Sequence, residues 1–260
     1  MTLVDLDRWL ADTVIAPCLQ ADAADVAYNG LQVERRSPEV FRVAFAVDAG
    51  MQVLRRCAEW KADLLCVHHG LFWGKTRRLV GPLFQRVQFL VEHDLGLYAV
   101  HLPLDAHPTL GNNAGMAAAL GLEDLQPLGT FRGVPVGWRG LLPADRYPDG
   151  ALLDELIEPL FGSRERCLGV LPFGPERIRS VGVVSGGAAR EVAEAIDAGV
   201  DLYITGDASH EVYHDCMECG INVVFGGHYQ TETWGPRLLC DRVSASCPVE
   251  TTFVDVPTAL

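Results

Sequence analysis

The sequence predicts an α/β fold of two similar lobes, each with a largely parallel sheet, and two observations carry that prediction. Apolar strand-like runs alternate with helix-like segments from Val43 onward, the pattern left by successive βαβ units. The first of these units also recurs. VAFAVDAG (Val43 to Gly50), a helix-like Gln52 to Trp60 and the strand-like ADLLCV ending at Val67 align without a gap on VGVVSGGA from Val181, a helix-like Glu191 to Ala198 and VDLYIT ending at Thr205. The offset is 138 residues and sets Asp63 on Asp201 and Leu64 on Leu202, which marks an internal repeat.

Taken in order, the N-terminal MTLVDLDRWLADTVIAP places Asp5, Asp7, Arg8 and Asp12 inside what would be the apolar core of a secretion signal. No uninterrupted apolar run of about 18 residues follows it, so the expectation is a cytoplasmic protein without a membrane segment. After the first βαβ unit, GLYAV (Gly96 to Val100) matches GINVV (Gly220 to Val224) at an offset of 124. Each half is then strand, helix, strand, helix, strand with right-handed crossovers. Between the halves, Pro127 to Arg179 carries Gly129, Gly133, Gly137 and Gly140 among apolar residues and then ALLDELIEPLFG. The first part predicts a hairpin, the second a helix. Assigning this connector to the second lobe gives lobes over residues 1–126 and 127–260.

Charge and cysteines narrow the function. With 34 acidic against 21 basic residues and a net charge of −13, the chain lacks the general attraction that nucleic acid or anionic lipid requires. An anionic substrate must be held by local cations or metal. The eight cysteines are dispersed without the dense spacing of a disulfide scaffold. Cys216 and Cys219 form a CxxC with no second pair or nearby CxxH to complete a thiolate zinc site, and are expected to be partly buried helix residues.

The chemistry gathers at strand ends, where open α/β sheets bind ligands. The strand ending at Val67 runs into His68 and His69; that ending at Val100 into HLPLD, with His101 and Asp105; that ending at Phe225 into GGHYQTE, with His228 and Glu232. Adjacent side chains of an extended chain point to opposite sides, so His68 and His69 suit two neighbouring ions better than one. Three equivalent ends delivering imidazole or carboxylate predict a pair of divalent ions bound by His68, His69, Asp105, His228 and Glu232. Without thiolate, the donor set suits zinc, iron, manganese, nickel or cobalt. Glu232, following Gly226 and Gly227, is the best candidate to bridge the two ions. His93, His107, His210 and His214 lack this placement and are expected on the surface or in caps. GLFWGKT (Gly70 to Thr76) has three residues between its glycines where a P-loop needs four, which excludes nucleotide binding by that route. Lys75, Arg77 and Arg78 form either a phosphate-neutralising group or a solvated basic loop. Ser185 to Gly187 form either an anion-receiving turn or a plain tight one.

These residues, in this order, resemble the Nif-three-like dinuclear metal-centre family, many of whose members carry the name GTP cyclohydrolase I type 2 homologue. The resemblance runs through NGLQV (Asn29 to Val33), DLLCVHHGLFW, HLPLDAHPTLGNNAGMAAALGL, VGVVSGGA, DLYITGD and GGHYQTE, nearly the whole chain. It implies two ions held by His68, His69, Asp105, His228 and Glu232 between two similar α/β lobes, with His101 at the same site. It also implies a toroidal homohexamer, here in the short form without the inserted central domain. HLPLD stands where HTNLD or HTPLD is usual, and HHG where HHP is common; neither departure removes a ligand. The implied activity is that of a GTP cyclohydrolase-like or phosphoesterase-like hydrolase. It would use a metal-activated water on a nucleotide or another phosphate-containing small molecule, with His101 moving protons and Lys75 or the Ser185 to Gly187 turn holding phosphate. The alternative is a non-catalytic metal-handling or regulatory scaffold.

Overall fold

The first compact unit holds one sheet whose strands turn successive residues to opposite sides, both of them apolar. These are β1 (Gly30–Val33), β2 (Arg42–Asp48), β3 (Leu64–His69) and β4 (Gly96–Ala99). Val43, Phe45, Leu64, Cys66 and Tyr98 pack with Leu3, Leu6 and Leu10 of helix Leu3–Leu10 and with Leu239 and Val243 of helix Trp234–Ser246. The intervening Ala44, Ala46, Leu65, Val67, Leu97 and Ala99 pack with Val53 and Leu54 of helix Met51–Glu59 and Leu90 of helix Gly81–Glu92. Strands buried on both faces need helices on both, which is the arrangement of a parallel sheet. Accordingly β4, β3 and β2 are parallel neighbours, with β1 antiparallel at one edge and the C-terminal strand Glu250–Phe253 (β11 in chain order) parallel to β2 at the other. The computed structural model describes every residue except Thr76, which ends the GLFWGKT stretch.

The second unit holds β5 (Glu123–Phe131), β6 (Val134–Leu141), β7 (Gly169–Pro172), β8 (Ser180–Val184), β9 (Leu202–Thr205) and β10 (Asn222–Phe225) in the order β5-β6-β8-β9-β10-β7. The expected hairpin is β5 and β6, beginning at Glu123 rather than Pro127. It turns through Arg132 and Gly133, both at positive φ (48° and 86°), the conformation that two-residue hairpin turns favour. Its strands pair antiparallel with each other and, through β6, with β8. ALLDELIEPLFG forms helix Leu153–Phe161, whose Leu156, Ile157 and Phe161 pack against Val181, Val183, Leu202, Ile204 and Val224.

The repeat is written into strand register. Val43 pairs with Leu64 and Val181 with Leu202, both displaced by the same 138 positions. A carboxylate clamp recurs with them. Asp63 Oδ2 accepts the amides of Phe41 (2.8 Å) and Arg42 (2.9 Å), and Asp201 Oδ2 those of Arg179 (2.8 Å) and Ser180 (3.0 Å). The third strand corrects the sequence alignment: Leu64 pairs with Gly96 but Leu202 with Asn222, so Gly96 corresponds to Asn222 and not to Gly220. The two glycines do different work. Gly220 ends helix Tyr213–Cys219 in the left-handed region at φ 67°, whereas Gly96 opens a strand where a Cβ would lie 2.9 Å from Leu64 Cδ1. A shift of two residues keeps side chains on the same faces.

The compact units are Met1–Leu110 with Gly235–Val256, and Gly111–Trp234 with Pro257–Leu260. Helix Trp234–Ser246 and β11 therefore group with the first unit, and not with the second lobe as a division at 126 and 127 expected. The reason is the parallel pairing of β11 with β2 and the burial of Leu239 and Val243 among first-unit residues. All eight cysteines are free thiols; Cys216 is buried and Cys219 exposed. Among the described residues no helix is long and apolar enough to cross a membrane.

Candidate metal centre

In the first unit, β3 ends on His68 and His69, whose rings converge instead of pointing to opposite sides as an ideal extended chain would set them. His68 is fully buried, and its Nδ1 lies 3.0 Å from the carbonyl oxygen of Val100. A carbonyl only accepts, so Nδ1 carries the proton and the lone pair sits on Nε2, the ligating form of the ring. That Nε2 lies 3.3 Å from Oδ2 of Asp105, a buried carboxylate on the short helix Leu102–Ala106. His69 and His101 follow the same design: Nδ1 of His69 is 2.9 Å from Asp48 Oδ1, and Nδ1 of His101 is 2.9 Å from Asp25 Oδ1. The three rings lie with centroids 4.8, 5.0 and 5.7 Å apart, and ligand atoms of His68, His69 and His101 fall within 4.8 Å of one another.

Sequence reasoning missed the residues behind these imidazoles. Asp25 is buried at the side chain and also accepts the amides of Ala27 and Leu102 (both 2.9 Å) and the Asn29 side-chain amide (3.0 Å). Burial pushes this carboxyl up, but the His101 contact and the surrounding donors outweigh it and hold the pKa at about 2. Asn29 Oδ1 in turn accepts the His101 amide at 2.8 Å. Gln32 Oε1 accepts the amides of Leu71 (2.8 Å) and Phe72 (3.2 Å), fixing the loop that follows the His pair. The indole of Trp73 on that loop meets His101 edge-on at 4.9 Å. NGLQV is thus a bracket for the His-bearing segments; the available signal was a cluster of Asp, Asn and Gln beside a strand with no helix to cap.

In the second unit, Gly227 leads into the short helix His228–Thr231, with Glu232 directly after it. His228 Nε2 lies 3.2 Å from Glu232 Oε1, and its Nδ1 2.9 Å from Asp207 Oδ1. The hydrogen bond to Glu232, opposed by burial and reinforced by both carboxylates, raises the His228 pKa to about 9. A metal ion binding there at neutral pH must displace that proton. Glu232 is buried. Asp207, unassigned by sequence reasoning, lies two residues beyond β9 in DLYITGD.

Other sequence readings sort clearly. The Ser185 amide donates to Asn113 Oδ1 (2.7 Å) and the Gly186 amide to Thr231 Oγ1 (3.0 Å), and the next helix starts only at Val192. Two of the three amides proposed for an anion are thereby engaged and no helix N-terminus stands behind them. Lys75, Arg77 and Arg78 are exposed. His107 is at the C-cap of helix Leu102–Ala106, the second of the two placements expected for it, and not on the surface. It is buried, its Nε2 donates to the Thr13 carbonyl (3.1 Å), and its Nδ1 accepts the amides of Thr109 (3.2 Å) and Leu110 (3.0 Å). It is a structural neutral imidazole whose pKa burial lowers. His93 stacks on Phe89, and His210 and His214 are exposed.

The donor set fits divalent first-row ions: imidazole Nε2 atoms oriented through Nδ1 by a carbonyl or carboxylate, beside buried carboxylates, with no thiolate. The sequence matches the model of the Duf34/NIF3 (NGG1p interacting factor 3) family over residues 2–259. It is 43% identical to the GTP cyclohydrolase 1 type 2 homolog of Archaeoglobus fulgidus over the whole of both chains. With the protein of that name from Treponema pallidum it shares 42% identity, covering 92% of this chain and 93% of that one. A crystal structure of a Thermus thermophilus protein has the same fold, with a TM-score of 0.86 at 36% identity over all of both chains.

Proposed function

Because the chain belongs to the Duf34/NIF3 (NGG1p interacting factor 3) family, we propose that it is a dinuclear divalent-metal protein that works as a hydrolase. In this reading His68, His69, Asp105, His228 and Glu232 are the ligands of the two ions. The observation that carries it is the common orientation of the imidazoles: His68, His69 and His228 each have Nδ1 engaged by an acceptor, which presents Nε2 as the ligand atom. When bound, such ions polarise a substrate oxygen and lower the pKa of a water toward about 7. His101 is the proton carrier. Asp25 and Asn29 fix its ring and backbone, and Asp25 supports the positive charge that the ring gains on taking a proton. The name shared by the relatives, GTP cyclohydrolase 1 type 2 homolog, points to a nucleotide or another phosphate-containing small molecule as substrate. The eight free thiols suit a reducing compartment, the cytoplasm.

Elemental analysis of protein purified with excess metal should find close to two divalent ions per chain; one ion, insensitive to added metal, would remove the dinuclear centre. A panel of nucleotides and generic phosphate esters should reveal turnover by the metal-loaded protein that His101→Ala lowers by about 10²- to 10⁴-fold with metal content unchanged. Full metal loading with no turnover on any member of the panel would favour a metal-handling scaffold. We further propose a closed homo-oligomer of six chains. Light scattering at micromolar concentration should give a mass several times 28.3 kDa, and a monomer would overturn it.

A further inference from the structure

Ser185, Gly186 and Gly187 sit where β8 ends, and their place in the second unit is explained by what presses against them. Gly186 stands at φ +66°, and a Cβ built on it would fall onto the Glu232 carboxylate oxygen Oε1 and lie 3.4 Å from His228 Nε2. At Gly187 a Cβ would lie 3.2 Å from Asp207 Oδ2 and 3.8 Å from His228 Cε1. The turn is also stitched to the segment that bears the ligands. The Gly186 amide donates to Thr231 Oγ1 at 3.0 Å, and its carbonyl accepts the amides of Gly206 (3.1 Å) and Asp207 (3.0 Å). Thr231 lies between His228 and Glu232 in sequence, and Asp207 holds the His228 ring. Gly206 completes the packing, since its Cβ would lie 2.6 Å from the Gly186 carbonyl oxygen and 2.9 Å from His228 Cα.

We infer that Gly186 is a positioning residue for the Glu232 and His228 pair. Its missing side chain is the space into which the carboxylate is set, and its peptide groups tie Asp207 and Thr231 to that space. The inference rests on the proposed metal centre only for its consequence; the geometry lies wholly within the second unit. A methyl group at Gly186 must move the Glu232 carboxylate, because the atom it meets belongs to the buried end of that side chain. A control is built into the chain: Gly199 has the same φ of +66° with nothing within 4 Å of its Cβ, so Gly199→Ala carries the same backbone strain without the collision.

The test is zinc competition against a chromophoric chelator, with stoichiometry by elemental analysis, on full-length wild type, Gly186→Ala and Gly199→Ala, each checked for folding by circular dichroism. Gly199→Ala should bind like the wild type, while Gly186→Ala should hold at least one ion about 10- to 100-fold more weakly. Equal binding by Gly186→Ala and wild type would overturn the inference. If the wild type binds no zinc, the metal-centre reading fails instead, and the ring ¹⁵N shifts of His228 in metal-free protein at one fixed pH decide the positioning role. They should move in Gly186→Ala and not in Gly199→Ala, and unmoved shifts would overturn it. If Gly186→Ala does not fold, Gly186→Ala/Glu232→Asp, whose carboxylate is drawn back by one methylene, should restore folding. Failure of that rescue would place the fault elsewhere and overturn the inference.

Discussion

Glu232→Gln is expected to fold and to retain one divalent ion where the wild type holds two. The substitution keeps the size of the side chain and a carbonyl oxygen that can still face His228 Nε2, which lies 3.2 Å from the present carboxylate. What it removes is the negative charge. Two unit charges about 4 Å apart repel by about 4 kcal/mol at an effective dielectric of about 20, and two dications by about four times as much. A neutral amide does nothing to offset this, whereas a carboxylate shared between the ions does. His68, His69, Asp105 and His228 still suffice for one ion. Hydrolysis that needs both should fall by orders of magnitude, with little recovered by extra metal. Glu218 is exposed on helix Tyr213–Cys219, so Glu218→Gln should change neither metal content nor rate. Metal stoichiometry of the two variants, with circular dichroism as the folding check, decides the matter. Two ions bound undiminished in Glu232→Gln would show that this residue is not the bridge.

Arg35→Ala should lower the stability of the metal-free protein by about 3 kcal/mol, a cost set by removing a buried cation from two partly buried carboxylates. The guanidinium is 8% exposed and lies 2.8 Å from Asp63 Oδ1 and 3.5 Å from Asp94 Oδ2. It also donates from Nε to the Asp94 carbonyl at 3.0 Å. Both carboxylates are occupied on their other side by backbone. Asp63 receives the amides of Phe41 and Arg42, and Asp94 those of Arg36 (2.6 Å) and Ser37 (3.2 Å). Removing the cation leaves Asp63 without its ion-pair partner and Asp94 with only the exposed Arg36, at 3.7 Å, while the backbone amides hold both carboxylates in place. Urea unfolding followed by circular dichroism, in the presence of a chelator, measures the change. A loss below about 1 kcal/mol would mean that the pair behaves like an exposed ion pair. Metal content should be unchanged, because Asp63 clamps the start of β2 and β3 while the candidate ligands His68 and His69 stand at the opposite end of β3.

The candidate ligands were legible because their chemistry is tied to position along the chain. His68, His69, His101, Asp105, His228 and Glu232 each follow closely on an apolar strand, and the end of a strand can be read from where the apolar run stops. The repeat was legible for the same reason: Val43 and Val181 head the same pattern, and Asp63 and Asp201 perform the same clamp. The third strand was misaligned because Gly96 and Gly220 look alike in a string of letters. One is a strand residue without room for a side chain, and the other is a helix cap at positive φ.

By itself, then, the sequence determined the α/β class and the repeat and picked out the candidate ligand types, all of which depend on periodicity and on neighbours close in the chain. Only the tertiary structure decided which groups stand behind the candidate ligands. Asp25 reaches His101 across 76 residues, Asp48 and Asp207 each reach their histidine across 21, and Arg35 joins Asp63 and Asp94. Apart from the 21-residue interval that the Asp48–His69 and Asp207–His228 pairs share, these pairings have no period or fixed spacing. Nor did the string of letters show that β11 returns to pair with β2, or that the Ser185 to Gly187 turn packs against Glu232 with the Ser185 and Gly186 amides already engaged. Such contacts are selected by burial: once the sheets and helices have packed, a carboxylate taken out of water must lie against the donors that packing brings to it, however far away they stand in sequence.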